Sequence, residues 1–240
     1  MYFCTINITL HTFILMRKIT LSLAAAALLF TTACNSNSGD EAKTGAAQEA
    51  SAQTGKVYAA DAATTVIGWR ATHKGGMAPR FGTLKITNGS ISAENGKITG
   101  GSFVVDMNTL WADTASVTEA GKKAADLEAH LKNADFFDVP KYPTAKFEIT
   151  GVKPFDAATD KSLLEGATDI VSGNLTLKDS TVNVTFPAKV SVTDGAASVQ
   201  AKFTVDRTSW GLNLGAEGDP ANWMISKDIE LTLDVKAVSK

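Results

Sequence analysis

The chain has 240 residues, with 23 Lys and Arg against 25 Asp and Glu, and with 44% hydrophobic and 20% charged residues, the balance of an ordinary globular protein. A net charge of −2 supplies no surplus of clustered cations, which argues against nucleic acid as a partner. Two cysteines, Cys4 and Cys34, are too few for a disulfide framework or a cysteine-rich zinc site.

The first element is an address. Met16-Arg17-Lys18 precedes an apolar run over residues 19–30 and then Thr31-Thr32-Ala33-Cys34. A basic start, an apolar run too short to span a bilayer comfortably, and a small residue before the break make a secretory signal. Residues 1–33 are read as that signal, with 1–15 as a misassigned upstream start, because the better signal begins at Met16. The break before Cys34 resembles the bacterial lipoprotein signal, which implies that Cys34 carries a lipid such as palmitate and becomes the new N-terminus. Removing residues 1–33 leaves 21 basic and 25 acidic residues, a net charge of −4. Membrane attachment is therefore expected through the lipid on Cys34 rather than through anionic headgroups. Asn35 is not the Asp associated with inner-membrane retention in some bacteria, so the expected location is the cell envelope, at the outer membrane.

Residues 35–56 are mostly Asn, Ser, Gly, Ala and Gln, with a few charges and no aromatic residue. Such a stretch buries too little apolar surface to order itself, so 34–56 is read as the lipidated cysteine and a flexible linker. Residues 57–240 form one domain of 184 residues, long enough to bury about 70% of its surface.

Period-two alternation dominates that domain. The inner faces read Ile67, Trp69, Ala71 and His73; Phe103, Val105 and Met107; Ala145, Phe147 and Ile149; Val171, Gly173, Leu175 and Leu177. They continue with Val182, Val184, Phe186, Ala188 and Val190; Ala201, Phe203, Val205 and Arg207; Ile229, Leu231, Leu233 and Val235. Each is a strand with one wet and one buried face. Asn88-Gly89, Asn95-Gly96 and Asp194-Gly195 are turn signals. Residues 116–132 break the pattern. Leu127 and Leu131 at i,i+4, a capping box from Ser116 to Glu119, and Gly121 as a candidate break predict a helix over one end of the sheet. Many amphipathic antiparallel strands around one helical excursion predict an all-β fold, an antiparallel barrel of about eight strands with one or two short helices. Pro187, mid-strand and unable to donate, predicts a bulge or a locally open edge.

No Gly-x-Ser-x-Gly, phosphate-cradling glycine loop or haem attachment motif is present, so no enzyme, cofactor or metal centre is expected. His130 reads as a solvated helix residue, and His73 as a hydrogen-bonded core histidine or a functional one. Arg207 shares a face with Phe203 and Val205 and must be paired if buried. The alternatives are a fixed ion pair to an acidic residue near the barrel end, Asp135 and Asp138 being candidates, and a bidentate contact to an anionic headgroup; a strand ending before Arg207 would let the side chain turn to solvent. The candidate ligand-lining set is Ile67, Trp69, Ala71, His73, Phe103, Val105, Met107, Phe147, Leu175, Phe186, Phe203, Val205 and Arg207. An eight-stranded barrel is either filled by such side chains or left open for one ligand. Each buried methylene contributes about 0.8 kcal/mol, so a long tail binds without a strong polar contact. Residues 211–223, with Gly215, Gly218 and Pro220, read as a flexible loop that gates an opening or as a plain surface connection.

Several segments together resemble the YceI-like family of bacterial secreted proteins. They are Ile67 to His73, with Tyr58 and Asp61 before it and Phe81-Gly82 after it; Gly100 to Met107; and His130-Leu-Lys-Asn-Ala-Asp-Phe-Phe-Asp138. Tyr142 to Phe147, Val171 to Leu177, Val182 to Pro187, and Phe203 to Arg207 with Trp210-Gly211 follow in family order. The resemblance implies an extended lipocalin-like barrel that accommodates an isoprenoid lipid or another long amphiphile, with no known catalytic residues. Lys178-Asp179 departs from the His and Gly usual there, so headgroup contacts are not carried over to that turn. Two functions are therefore expected as alternatives. One is noncovalent carriage, storage or sensing of a polyisoprenoid, quinone or other long-chain lipid by an anchored envelope protein. The other is a ligand-free envelope surface interaction module with a packed core, its partner proteins unknown.

Overall fold

The computed structural model describes residues 39–217 and 224–239. The signal segment 1–33, Cys34 and residues 218–223 lie outside the described residues. The strands in chain order are β1 (Asp40–Glu41), β2 (Lys43–Ala46), β3 (Lys56–Ala60), β4 (Val66–His73), β5 (Arg80–Glu94) and β6 (Lys97–Ala112). After α1 (Ala124–Lys132) come β7 (Thr144–Pro154), β8 (Asp169–Leu177), β9 (Ser180–Val192), β10 (Ala196–Asp206) and β11 (Ile225–Ser239).

From β4 to β11 each strand pairs antiparallel with the next, and β4 also pairs with β11, which closes an eight-stranded barrel. β3 shares the position of β4, bridging β11 and β5 at the end where Asn95-Gly96 and Asp194-Gly195 make the tight turns. Asn95 and Gly96 have φ of 52° and 75°, the left-handed pair that a two-residue hairpin needs. α1 and the short helical turn Arg207–Trp210 sit at the opposite end. The all-β, lipocalin-like barrel with few helical turns is thus the fold.

Four local expectations are corrected. Asn88-Gly89 is no turn: both residues lie inside β5, beside a register shift between Ile86 and Asn88. Reading a turn there hid the strand that spans residues 80–94, because a bulge inserts a residue without ending the ladder. The helix does not begin at Ser116. Gly121 has φ of 77°, and α1 starts beyond it with Lys123 as an N-cap that makes no side-chain bond, so the expected capping box is not formed. The opening part of the 211–223 loop is packed, with Leu212 and Ala216 buried.

The fourth correction concerns the linker. Residues 40–53 are docked on the barrel, with β1 parallel to β10 and β2 antiparallel to β9. The segment then crosses the outer face of the sheet. Gln48 gives its N–H to Asn174 Oδ1 at 3.0 Å and takes Asn174 Nδ2 at 2.7 Å, and Ser51 N–H donates to Ile149 O. Asn183 Nδ2 completes the set by donating to Asn174 Oδ1 and Thr150 Oγ1. Composition misjudged this stretch because it buries little apolar surface of its own; ladder bonds and two buried asparagines hold it instead. Asn174→Ala strands the Gln48 backbone groups, at about 1–3 kcal/mol. The expected result is faster trypsin cleavage after Lys43 with the barrel still folded, read by limited proteolysis.

Candidate functional site

The barrel is not filled. A cavity of about 710 Å³ occupies the lumen, running from α1 and the Arg207–Trp210 turn down to Ile98, Val199 and Val235 near the β5–β6 and β9–β10 turns. Alternation on each strand aims the wall side chains inward. β4 contributes Ile67, Trp69, Ala71 and His73, and β6 contributes Phe103, Val105 and Met107. Phe147 comes from β7, Leu175 from β8 and Phe186 from β9; Phe203 and Val205 come from β10, with Arg207 just past its end. All thirteen residues nominated from the sequence therefore face one space.

Large aromatic side chains usually fill a lumen of this strand number. Here two of them lie flat against neighbouring strands. A Cβ on Gly173 would sit 2.2 Å from Phe147 Cζ, and one on Gly89 would sit 2.4 Å from Phe103 Cδ1. Glycine on the adjoining strand lets each ring rest on the wall instead of projecting into the cavity.

The polar groups gather near the α1 end. Arg80 donates to Ser116 O at 2.7 Å and pairs with Glu119, and this guanidinium holds the Glu119 carboxyl below the usual carboxylate range. His73 Nδ1 is buried with no hydrogen-bond partner. Exposed His130 sits at the rim with its ring edge on Phe136, 5.2 Å between centroids. Among the described residues no group of three or more His, Cys, Asp and Glu could hold a metal ion.

Arg207 departs from its expectation in two particulars. β10 ends at Asp206, yet the side chain does not turn to solvent, and Arg207 is only 3% exposed. The helical turn that follows swings the guanidinium inward, where it donates to the carbonyls of Leu212, Ile225 (3.2 Å) and Ser226 (3.0 Å). Asp135 and Asp138 are not its ion-pair partners. Arg207 thus ties the 212–217 segment and the start of β11 to the cavity rim, and it lines the cavity while doing so.

Asp206 sets that turn, accepting from Thr208 N–H at 3.0 Å and Thr208 Oγ1 at 2.6 Å, with Lys227 at 3.4 Å. Burial pushes its carboxyl up, but the Thr208 bonds and Lys227 outweigh this and leave it below its ordinary 3.8. A depressed folded-state value means stability that is present above 3.8 and lost as pH falls through the lower folded value. Asp206→Ala is therefore expected to melt below the parent at neutral pH, with the gap closing as the pH falls below 3.8, read by thermal melts across that range.

The sequence reading did not nominate Leu127, Leu131, Phe136 and Phe137 from the helix side, or Trp210, Leu212 and Leu214 from the other, all of which line the same cavity. Leu127 and Leu131 had a signal in their i,i+4 spacing. The others sit in irregular segments, where no period assigns a face. Trp210 is 2% exposed and its Nε1 donates to Leu175 O at 2.8 Å, fixing the turn against β8.

The sequence profile of the YceI-like domain matches residues 58–237. A UPF0312 protein of Pseudomonas putida strain F1 is 30% identical over 178 residues, covering 72% of this chain and 81% of its own. Among solved structures, BcnA of Burkholderia cenocepacia superposes with a TM-score of 0.54 at 15% identity, over 74% of this chain and 99% of that one. A polyisoprenoid binding domain from Saccharophagus degradans, implicated in plant cell wall breakdown, aligns more loosely, with a TM-score of 0.49 at 17% identity over 76% and 98% of the two chains.

Proposed function

The chain belongs to the YceI-like family, and from that premise we propose that it binds a polyisoprenoid, quinone or other long-chain amphiphilic lipid noncovalently in its lumen. Carriage, storage or sensing of that lipid is its role, with no chemical step. The observation that carries this reading is the open apolar cavity of about 710 Å³, a volume within the usual range for small-molecule sites. A long tail has room against Phe147, Phe186 and Phe203, with each methylene contributing about 0.8 kcal/mol. The polar end of the ligand lies by His73, whose unpartnered Nδ1 meets a ligand hydroxyl. The same cavity weighs against a ligand-free module, since that reading needs a packed core.

In this proposal Cys34 carries the lipid anchor after removal of residues 1–33, and the protein resides in the bacterial envelope at the outer membrane. The lipoprotein-like run Thr31-Thr32-Ala33-Cys34 supports it.

The test is mass spectrometry of an organic extract from residues 35–240 exported by the native host. Leaving out Cys34 keeps the anchor's acyl chains out of the extract, and keeping residues 40–53 preserves the docked segment. A stoichiometric prenyl or quinone species names the ligand class. A clean extract, with an apolar dye also refused, overturns the proposal in favour of a surface interaction module.

A further inference from the structure

We propose that the barrel has a side door between β9 and β10, closed by residues 40–46, through which the luminal ligand enters and leaves. This rests on the reading that the ligand is luminal.

The β9–β10 seam is cut short at a defined residue. Its ladder has five pairs, from Val192 with Ala197 to Ala188 with Ala201, as few as the β4–β5 and β6–β7 ladders, whereas β10 pairs with β11 at eleven positions and β8 with β9 at nine. Pro187 explains the stop. Ala188 O accepts from Thr168 N–H on the β8 side, so the backbone of the preceding residue points toward β10. Pro187 has no N–H to give there, and the two strands part.

What fills the gap is the N-terminal segment. Asp40 and Glu41 pair with Phe203 and Thr204 of β10, Ala42 N–H donates to Thr204 O at 2.9 Å, and residues 43–46 pair with Thr185 to Val182 of β9. Behind it, the Phe186 and Phe203 rings stack across the seam at 3.9 Å between centroids and 6° between planes. Both rings line the cavity. Beyond Ala188 the inner side of this seam is therefore closed by two rings rather than by a β9–β10 ladder, and rings turn far more readily than ladders break.

The closing segment is lightly held. All four residues of β2 are exposed, and the β1 ladder is two residues long. Ala42 is its buried residue, and the Asp40 carboxylate clips it to Ser162 Oγ (2.7 Å) and Leu163 N (2.9 Å). Few buried contacts and short ladders mark a segment that opens locally before the fold does. The α1 end is fastened differently, by the buried Arg207 guanidinium on three carbonyls, so the seam is the easier place to open. Five residues lie between Cys34 and Asp40, at most about 20 Å of extended chain from one to the other. A lipid on Cys34 would keep the door within that reach of the bilayer.

The test staples the door in the full chain isolated from its host. Lys43 and Thr185 are register partners, and antiparallel partners stand about 4.5–5.5 Å apart at Cα, inside disulfide range. Lys43→Cys with Thr185→Cys is loaded with 10-(1-pyrenyl)decanol, and release into excess phosphatidylcholine vesicles is timed before and after reduction. The oxidised form is expected to release at least about tenfold more slowly, with the bound fraction at equilibrium unchanged. Asp40→Ala is expected to release about tenfold faster than the parent through the lost charged bonds. Equal rates in the oxidised and reduced forms, or no acceleration in Asp40→Ala, overturn the door while leaving the luminal site in place. A parent protein that takes up no probe overturns the luminal site and the door together.

Discussion

Ala71→Trp is expected to lose uptake of an apolar probe by about 100-fold or more while keeping the strand content and cooperative melting of the parent. Ala71 lies on β4, pairs with Ile229 and Arg80, and lines the cavity. An indole there enters empty space, so the overpacking penalty that a filled core would impose is small. The ladders on both sides are backbone bonds and do not depend on the side chain. Displacing about four methylenes of a bound tail removes about 3 kcal/mol of transfer free energy, or a factor of about 100 in affinity. Val66→Trp is the control, since Val66 is 44% exposed on the same strand and its replacement should leave uptake unchanged. Probe titration by fluorescence with a parallel thermal melt decides the matter. Unchanged uptake in Ala71→Trp would remove the lumen as the binding site.

The wall of this site was legible because a strand has a fixed period, so one buried face identifies every second residue. Trp69, Phe103 and Phe203 were placed inward by alternation, and they line the cavity. Whether the lumen is open was not legible. That depends on Gly173 lying beneath Phe147 and Gly89 beneath Phe103, which is a property of register between strands distant in sequence. The docked segment was hidden for a related reason. Nothing in Lys43-Thr-Gly-Ala46 marks a strand, because its bonds come from β9, and Gln48 just beyond it is held by Asn174. Pro187 did signal an open edge, and the strands do part there, but one proline does not say what covers the gap.

Arg207→Ala is expected to cost about 3–5 kcal/mol, the range for breaking a buried charged arrangement from one side. In a domain of this size that lowers the melting temperature by roughly 10 °C. The loss follows from the geometry. Nε and both terminal nitrogens donate to the carbonyls of Ser226, Leu212 and Ile225, and with Arg207 at 3% exposure water cannot simply replace them. Arg207→Lys should recover only part of the loss, because an ammonium cannot reproduce the planar fork that meets three carbonyls. These bonds already occupy three of the five guanidinium donors, which makes the arginine a fastening of the rim before it is a headgroup contact. The two roles separate by ligand charge. With folded Arg207→Lys well below its melting point, a fastening role leaves the ratio of affinities for pyrenyl-decanoate and pyrenyl-decanol at its parent value. A headgroup role would show as a ratio that falls, with the neutral alcohol bound as before.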